Sequence, residues 1–213
     1  MMPQVISFHS FGIELEGIVS IPQNTSGPFP GMVICHSFPF LGENMSSPSV
    51  YAIAQALDSD GIATLRFNFR GVGSSGGGFD NGKGEQVDLR AAVDTFRKWP
   101  NVHKKSVGVV GMSFGAVVAL DALPKLNNVS PLVLISPTSG SVKRSKLKDF
   151  KGLKFVLLGG NDKISTLDVL KEDLRPHIDR NCIKVIEEAD NNWVGHESQL
   201  AYWVSKSVKS KKL

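Results

Sequence analysis

The apolar and polar residues of the chain alternate between two periods. Short apolar runs, typical of buried strands, cover residues 5–8, 13–21, 31–35, 63–69, 106–110, 131–136, 155–158 and 183–186. Apolar residues at helical spacing cover residues 49–58, 86–99, 116–126, 167–174 and 197–208. Strands that alternate with helices predict a mostly parallel sheet with helices on both faces. With no internal repeat and no interdomain linker, we expect one α/β domain over residues 1–213.

Composition narrows the class of protein. Hydrophobic residues make up 41% and charged residues 21% of the 213 residues, as in an ordinary globular domain. The first residues lack a basic region followed by an apolar stretch, so no signal peptide is predicted, and no apolar run approaches the ~18 residues of a membrane span. Cys35 and Cys182 favour reduced thiols, and no Cys/His pair has metal-ligand spacing. We therefore expect a cytoplasmic protein with no membrane partner and no metal.

The net charge of +4 comes from two basic stretches. Neither has the interleaved aromatic residues of a nucleic-acid surface, so we expect solvated faces and no nucleic-acid partner. The first stretch contains Lys143, Arg144, Lys146, Lys148, Lys151 and Lys154, and the second contains Lys206, Lys209, Lys211 and Lys212.

A Gly-Met-Ser-Phe-Gly motif at residues 111–115 follows the apolar run 106–110. A predicted strand before the motif and a predicted helix after it are typical of a nucleophile elbow. In such a turn Ser113 would face solvent at strained backbone angles. A Cβ at Gly111 or Gly115 would press against the neighbouring strand and helix. The N-terminus of the following helix would favour a developing negative charge beside the serine. A Gly/Ser turn that matches by accident is the simpler interpretation.

Two glycine patterns resemble nucleotide-binding motifs but lack their context. Residues 71–76 match the dinucleotide fingerprint, yet the chain continues as loop where a helix must open. Residues 77–83 begin like a phosphate loop, but Gly84 stands where a Ser or Thr is needed and no strand precedes it. We interpret residues 70–84 as a flexible surface loop near the edge of the site.

A serine nucleophile needs a base and an acid that orients it. Asp162 follows the apolar strand 155–158, which places its carboxylate at the same sheet edge as Ser113, although a turn or helix cap would also explain it. Only His177 and His196 follow Asp162. His177 lies at a helix end before the next strand, so spacing alone leaves His196 as the candidate base.

Three ordered motifs together resemble the α/β-hydrolase superfamily, in particular its small, lidless, esterase-like members such as dienelactone-hydrolase-like proteins. They are the serine pentapeptide, His36-Ser37-Phe38-Pro39 with Gly42-Glu43-Asn44-Met45 behind it, and the Arg-Gly-x-Gly-x-Ser loop at residues 70–75. The resemblance covers residues 13–208. It implies an α/β-hydrolase fold without a cap domain, and an oxyanion hole formed by the backbone N–H groups of Phe38 and Phe114.

The chain departs from this family at the final loop. Similar members read Gly/Ala-Asp-His there, and this chain reads Ala189-Asp190-Asn191. Asn191 thus occupies the position of the family histidine, and an amide cannot take a proton from serine at neutral pH. Three explanations are open. His196 acts as the base instead, or Asn191 is a deliberate replacement that traps a substrate or acyl-enzyme, or the protein has lost catalysis and become a binding module. We favour the second explanation over the first and the third, and expect Asp162 to reach the side chain at position 191 rather than His196.

The resemblance implies acyl transfer from a small carboxylic ester to water. Ser113 attacks the carbonyl, the base takes its proton, and Asp162 orients the base, with no cofactor. We expect an open pocket shaped by loops 37–48, 71–84 and 137–150. Ser37, Phe38, Phe40, Phe79 and Trp193 are its candidate lining residues, and a small ester the substrate of a monomer or homodimer. A non-catalytic ligand-binding or protein-interaction domain on the same fold is the alternative.

Overall fold

The computed structural model describes residues 3–23, 26–164 and 166–209. In chain order their strands and helices are β1 (Gln4–Ser10), β2 (Ile13–Ser20), β3 (Phe29–Cys35), α1 (Pro48–Ser59), β4 (Ala63–Phe67), α2 (Lys83–Arg97), β5 (Val102–Met112), α3 (Phe114–Ala122), β6 (Leu132–Ile135), α4 (Ser139–Arg144), β7 (Lys154–Gly159), α5 (Leu167–Leu174), β8 (Ile183–Ile186) and α6 (Glu197–Lys209). Single 3-10 turns cover residues 39–41, 123–125 and 180–182.

The strands form one sheet in the order β1-β2-β4-β3-β5-β6-β7-β8. β1 pairs antiparallel with β2, and β2 pairs antiparallel with β4. The pairs from β4 through β3 and β5 to β8 are parallel. The mostly parallel sheet predicted from the sequence is confirmed. Because parallel strands end at one edge, the segments after β3, β5, β6, β7 and β8 lie along the same side of the molecule.

Helices cover both faces of this sheet. On one face, α1 buries Val50, Ile53 and Leu57, which recur at helical spacing, against α6 residues such as Val204. On the other face, α2, α3, α4 and α5 bury apolar side chains against the sheet, Leu89 of α2 among them. This two-sided burial explains why the parallel strands read as continuous apolar runs rather than as alternating ones.

Two expectations about secondary structure are wrong. Residues 137–150, expected as a loop that shapes the pocket, contain helix α4, which is too short and too polar to show helical periodicity. The helix expected over 116–126 begins at Phe114 and ends at Ala122, because Pro124 follows in a 3-10 turn.

The loop between β4 and α2 is held by hydrogen bonds rather than loose. Arg70 forms a bidentate ion pair with Asp88 of α2 at 2.8 and 2.9 Å, and the Asp88 side chain is fully buried. Gly71 N–H donates to Gly76 O at 3.0 Å, and the carboxylate of Glu85 accepts from Gly82 N–H at 2.8 Å. These contacts fix both ends of the loop expected to be flexible.

The basic stretch at 143–154 is partly paired. Lys143 contacts Asp173 at 3.2 Å, and Arg144 contacts Asp121 at 2.8 Å. The expectation that the whole stretch is a solvated face is wrong for Lys154. Its Nζ donates to Leu147 O and Phe150 O, and burial lowers its pKa. In the second stretch, Lys211 and Lys212 lie outside the described residues. Within the described ranges no helix has the length and apolar character to span a membrane.

Candidate active site

Ser113 lies at a sharp turn between β5 and α3. Its backbone angles, φ 46° and ψ −106°, are strained for a residue that carries a side chain. The turn is fixed because Ser113 N–H donates to Ile135 O at 2.8 Å and Ser113 O accepts from Ala116 N–H at 3.0 Å. The strand-turn-helix geometry expected of a nucleophile elbow is therefore present, with Ser113 at its apex.

Gly111 and Gly115 allow the close packing on which this turn depends. A Cβ on Gly111 would lie 2.6 Å from Gly115 O, and a Cβ on Gly115 would lie 2.6 Å from Cys35 O. Both contacts are with backbone atoms, which cannot move aside easily. The start of α3 thus packs directly against the end of β3, as the sequence predicts, and brings residues 113–115 beside residues 35–38.

The fully buried ring of His36 fixes the segment after β3. Its Nε2 accepts a hydrogen bond from Phe69 N–H at 3.3 Å, so the ring proton is on Nδ1, which donates to Ser37 O at 2.7 Å. Burial lowers the pKa of His36 to about 4, and the ring is neutral at physiological pH. His36 therefore positions Ser37 and Phe38 rather than acting as a base.

The buried His36 predicts a pH-dependent stability. Its folded pKa of about 4 lies below the unfolded value of 6.5, so the unfolded chain binds more protons between those values. We expect this residue's contribution to fall as the pH is lowered through that window, by about 2 kcal/mol between pH 7 and pH 5. Urea unfolding at both pH values measures the difference, and His36→Gln should lose this part of the pH dependence. An unchanged pH dependence in that variant would contradict the assignment.

The N–H groups of Phe38 and Phe114 are the candidate oxyanion donors. Phe114 is the first residue of α3, so its N–H has no intrahelical acceptor. Among the described residues, neither N–H donates a hydrogen bond to another protein group. The two segments are adjacent, with the Phe38 and Phe114 ring centroids 5.7 Å apart. Free donors at a helix N-terminus beside a serine are suited to a negatively charged oxygen.

A small cavity of about 10 Å³ lies beside Ser113. Ser37 and Trp193 line it as expected, but Phe40 and Phe79 do not. Glu43 and Asn192 were not assigned to the site from the sequence, although Glu43 lies behind the His36 motif and Asn192 follows Asn191. The full lining is Ser37, Glu43, Met112, Ser113, Ile135, Asn191, Asn192 and Trp193. This cavity has room for about one water molecule, which is much smaller than the open pocket expected from the sequence.

Phe40 and Phe79 belong instead to an aromatic cluster with Phe38 and Phe114. Their ring centroids lie 4.9 Å apart, and each ring is within 5.7 Å of Phe38. Phe79 also lies 5.4 Å from Phe114, the residue after Ser113. Phe40 is 71% exposed, so the cluster presents an aromatic surface next to the nucleophile turn.

The loops that carry Asp162 and Asn191 are joined at the edge of the sheet. Asn161 N–H donates to Ala189 O at 2.9 Å, and Gly160 N–H donates to Ile186 O at 2.8 Å. However, the hydrogen bonds between described residues do not include the expected one from Asp162 to the side chain at 191. Asp162 Oδ1 accepts from Ile164 N–H at 2.8 Å, and the Asn191 amide donates to Asn192 Oδ1 at 3.0 Å.

His196 and Asn191 occupy different surroundings. His196 N–H donates to Trp193 O at 3.0 Å, and His196 O accepts from Leu200 N–H at the start of α6. The residue is absent from the cavity that Asn191 shares with Ser113. The loop before it is fixed because Asp190 Oδ1 accepts from Asn192 N–H and Trp193 N–H, each at 2.9 Å. The buried indole of Trp193 also donates to Ser136 Oγ at 3.3 Å.

A family model described as X-Pro dipeptidyl-peptidase (S15 family) matches residues 12–212. The chain belongs to this family. Similar solved structures are an α/β serine hydrolase homologue from Coxiella burnetii, 25% identical over 97% of both chains with a TM-score of 0.83, and an α/β serine hydrolase without lid from Xanthomonas campestris, 26% identical over 98% of this chain and 94% of that one with a TM-score of 0.81. The resemblance to lidless α/β hydrolases is confirmed.

A curated relative, an uncharacterized protein from Rickettsia prowazekii, is 35% identical over 154 residues, or 70% of this chain. The match covers 63% of that relative, and a second match, to an uncharacterized protein from Pseudomonas aeruginosa, covers 33% of its length. The chain therefore spans less than two thirds of these relatives. Together the comparisons identify a serine-hydrolase-like α/β protein. The described residues contain no group of three His, Cys, Asp or Glu side chains that could hold a metal ion.

Proposed function

We propose that the protein is a slow serine hydrolase of small carboxylic esters that uses Ser113 as the nucleophile. Ser113 Oγ attacks the ester carbonyl, the alcohol leaves, and water then releases the acyl group from the serine. The N–H groups of Phe38 and Phe114 bind the oxyanion of each tetrahedral intermediate. The observation that carries the proposal is the strained Ser113 turn beside these two free donors.

Asn191 limits the rate of this reaction. It lies in the same cavity as Ser113, where the resemblance places the histidine of related hydrolases. An amide neither accepts the serine proton nor returns it to the leaving group, and Asp162 has no imidazole to orient. Hydrolases that lose one triad member retain some catalysis from the oxyanion hole and from substrate binding. The chain is expected to work in this reduced range.

The same reasoning favours esters over peptides. An amine leaving group has to receive a proton before it departs, and a triad histidine supplies that proton. An alkoxide or phenoxide leaves without such help more readily. The name of the matched family describes peptidases, but for this chain we propose activated small esters, with the acyl or aryl group placed against the cluster of Phe38, Phe40, Phe79 and Phe114.

A non-catalytic ligand-binding domain is the second candidate function. It is favoured by Asn191 and Asn192, whose side chains are hydrogen-bonded to one another at 3.0 Å and line the cavity as amides that bind without titrating. For either function, we propose that the protein is a single domain that acts in the cytoplasm as a monomer or homodimer. Its substrate or ligand is a small molecule, and it uses no cofactor.

Ser113→Ala tests the two functions against each other. If the serine is the nucleophile, this variant should lose both the slow hydrolysis of 4-nitrophenyl acetate and covalent labelling by a fluorophosphonate probe. Labelling of the parent chain is expected to be slow, because a serine without its histidine is weakly nucleophilic. Circular dichroism should show that the variant is folded. Parent-level turnover in Ser113→Ala would exclude this serine as the nucleophile, whereas a parent chain with neither turnover nor labelling would leave the binding function.

A further inference from the structure

We propose that Glu43 is the general base for Ser113, acting through one water molecule. This inference rests on the proposed hydrolase function and names the group that replaces the missing histidine. Glu43 contributes the one carboxyl side chain among the described residues that line the cavity beside Ser113. Glu43 lies in the loop between β3 and α1, in the Gly42-Glu43-Asn44-Met45 segment behind the His36 motif, and the sequence alone assigns it no role.

The size and lining of the cavity support a water-mediated contact. Its volume of about 10 Å³ is at the lower limit for one water. A held water needs two to four polar partners, and five of the lining residues have polar side chains: Ser37, Glu43, Ser113, Asn191 and Asn192. A general base can act on a serine hydroxyl through one water, which is the arrangement that we propose for Glu43 and Ser113.

The backbone around Glu43 is held on both sides. Before it, Gly42 N–H donates to Pro39 O at 2.9 Å. After it, Asn44 N–H donates to Ser47 Oγ at 3.0 Å, and Met45 N–H donates to Asn68 Oδ1 at 2.7 Å. Arg66 also donates to Met45 O at 2.8 Å. These contacts fix the backbone on both sides of Glu43.

The Glu43 carboxylate is available as an acceptor. It is half-buried, and within the described part of the chain it forms no ion pair and accepts no hydrogen bond. By contrast, the carboxylates of Asp88, Glu85 and Asp190 accept hydrogen bonds that fix the structure. A carboxylate without a structural partner at the edge of a serine-containing cavity is free to exchange a proton.

The proposed steps balance. In acylation, the water gives a proton to Glu43 and takes the Ser113 Oγ proton, while Oγ forms a bond to the ester carbonyl carbon. The C–O bond to the alcohol then breaks, and Glu43 returns its proton to the leaving oxygen. In deacylation, a water oxygen forms a bond to the acyl carbon as Glu43 takes one of that water's protons, the bond from Oγ to the acyl carbon then breaks, and Glu43 passes the proton to Ser113 Oγ. The products are one alcohol and one carboxylic acid.

Glu43→Gln, which keeps the shape and removes the base, is the first test. We expect kcat/KM for 4-nitrophenyl acetate to fall about 100-fold, a usual contribution of a general base. Glu43→Ala should fall similarly, and added formate should restore part of the lost rate in a saturable way. A purely structural role would give no such rescue. Glu172→Gln on the exposed side of α5 is the matched control and should keep the parent rate.

The same substitution in an Asn191→His background separates the base from the fold. There the new histidine takes the serine proton, so Glu43→Gln should cost less than about threefold. A parent rate that depends on Ser113 but not on Glu43 would overturn the role of Glu43 and leave the hydrolase function standing. A parent rate equal to that of Ser113→Ala would overturn both.

Discussion

Asn191→His should raise kcat/KM for short-chain aryl esters by about 100- to 10,000-fold, the contribution of a positioned acid–base group. The serine turn, the free N–H groups of Phe38 and Phe114 and the loop carrying Asp162 are all present in this chain. Under the proposed function, Asn191→His supplies the histidine that Ser113 lacks, in the cavity that the two positions share. Steady-state hydrolysis of 4-nitrophenyl acetate by the two proteins measures the gain.

His196 provides the control for this prediction. If position 191 is the site of the base, His196→Ala in the Asn191→His background should change the rate little, because His196 lies outside the cavity at the start of α6. A collapse of activity on removing His196 would instead identify His196 as the base and would contradict the assignment of position 191. No gain from Asn191→His would count against the hydrolase function itself.

The order of strands and helices was predictable because it follows from the spacing of apolar residues along the chain. Helix α5 and strand β8 have the predicted bounds. Helix α4 was missed because only one of its six residues, Val142, is a large apolar residue that packs against the core. Its N-terminal signal is Thr138, whose Oγ1 accepts from Ser141 N–H at 3.3 Å.

The site was predictable only where the chain itself sets the geometry. Gly111, Ser113 and Gly115 were identified because the turn demands those residue types locally. The lining of the cavity depends on contacts between distant segments, which no spacing reveals. Glu43 enters it from the loop after β3, and Asn192 from the loop after β8. Phe40 and Phe79 were expected to line the pocket. Instead their rings pack edge to face against one another in the aromatic cluster.

The largest expected loss of stability comes from Arg70→Met. This change leaves the fully buried Asp88 carboxylate with the Ser10 hydroxyl at 2.6 Å and the backbone N–H of residue 70 at 3.1 Å as its donors. A buried ion pair that loses one partner destabilises a protein by about 3 to 5 kcal/mol, because the remaining charge is neither solvated nor neutralised. Urea denaturation at pH 7 should show this decrease in the free energy of unfolding.

Arg144→Met is the matched control, because the chain contains a second bidentate Arg–Asp pair in a different environment. Arg144 binds Asp121 at 3.0 and 2.8 Å, nearly the same distances as Arg70 and Asp88, but its side chain is 52% exposed compared with 12% for Arg70. An exposed pair contributes about 0 to 1 kcal/mol, so this variant should unfold close to the parent midpoint. The loop that begins at Arg70 carries Phe79 into the aromatic cluster beside Ser113, and its loosening should also slow fluorophosphonate labelling of that serine. Equal losses in the two variants would mean that burial is not what makes the Arg70–Asp88 pair important.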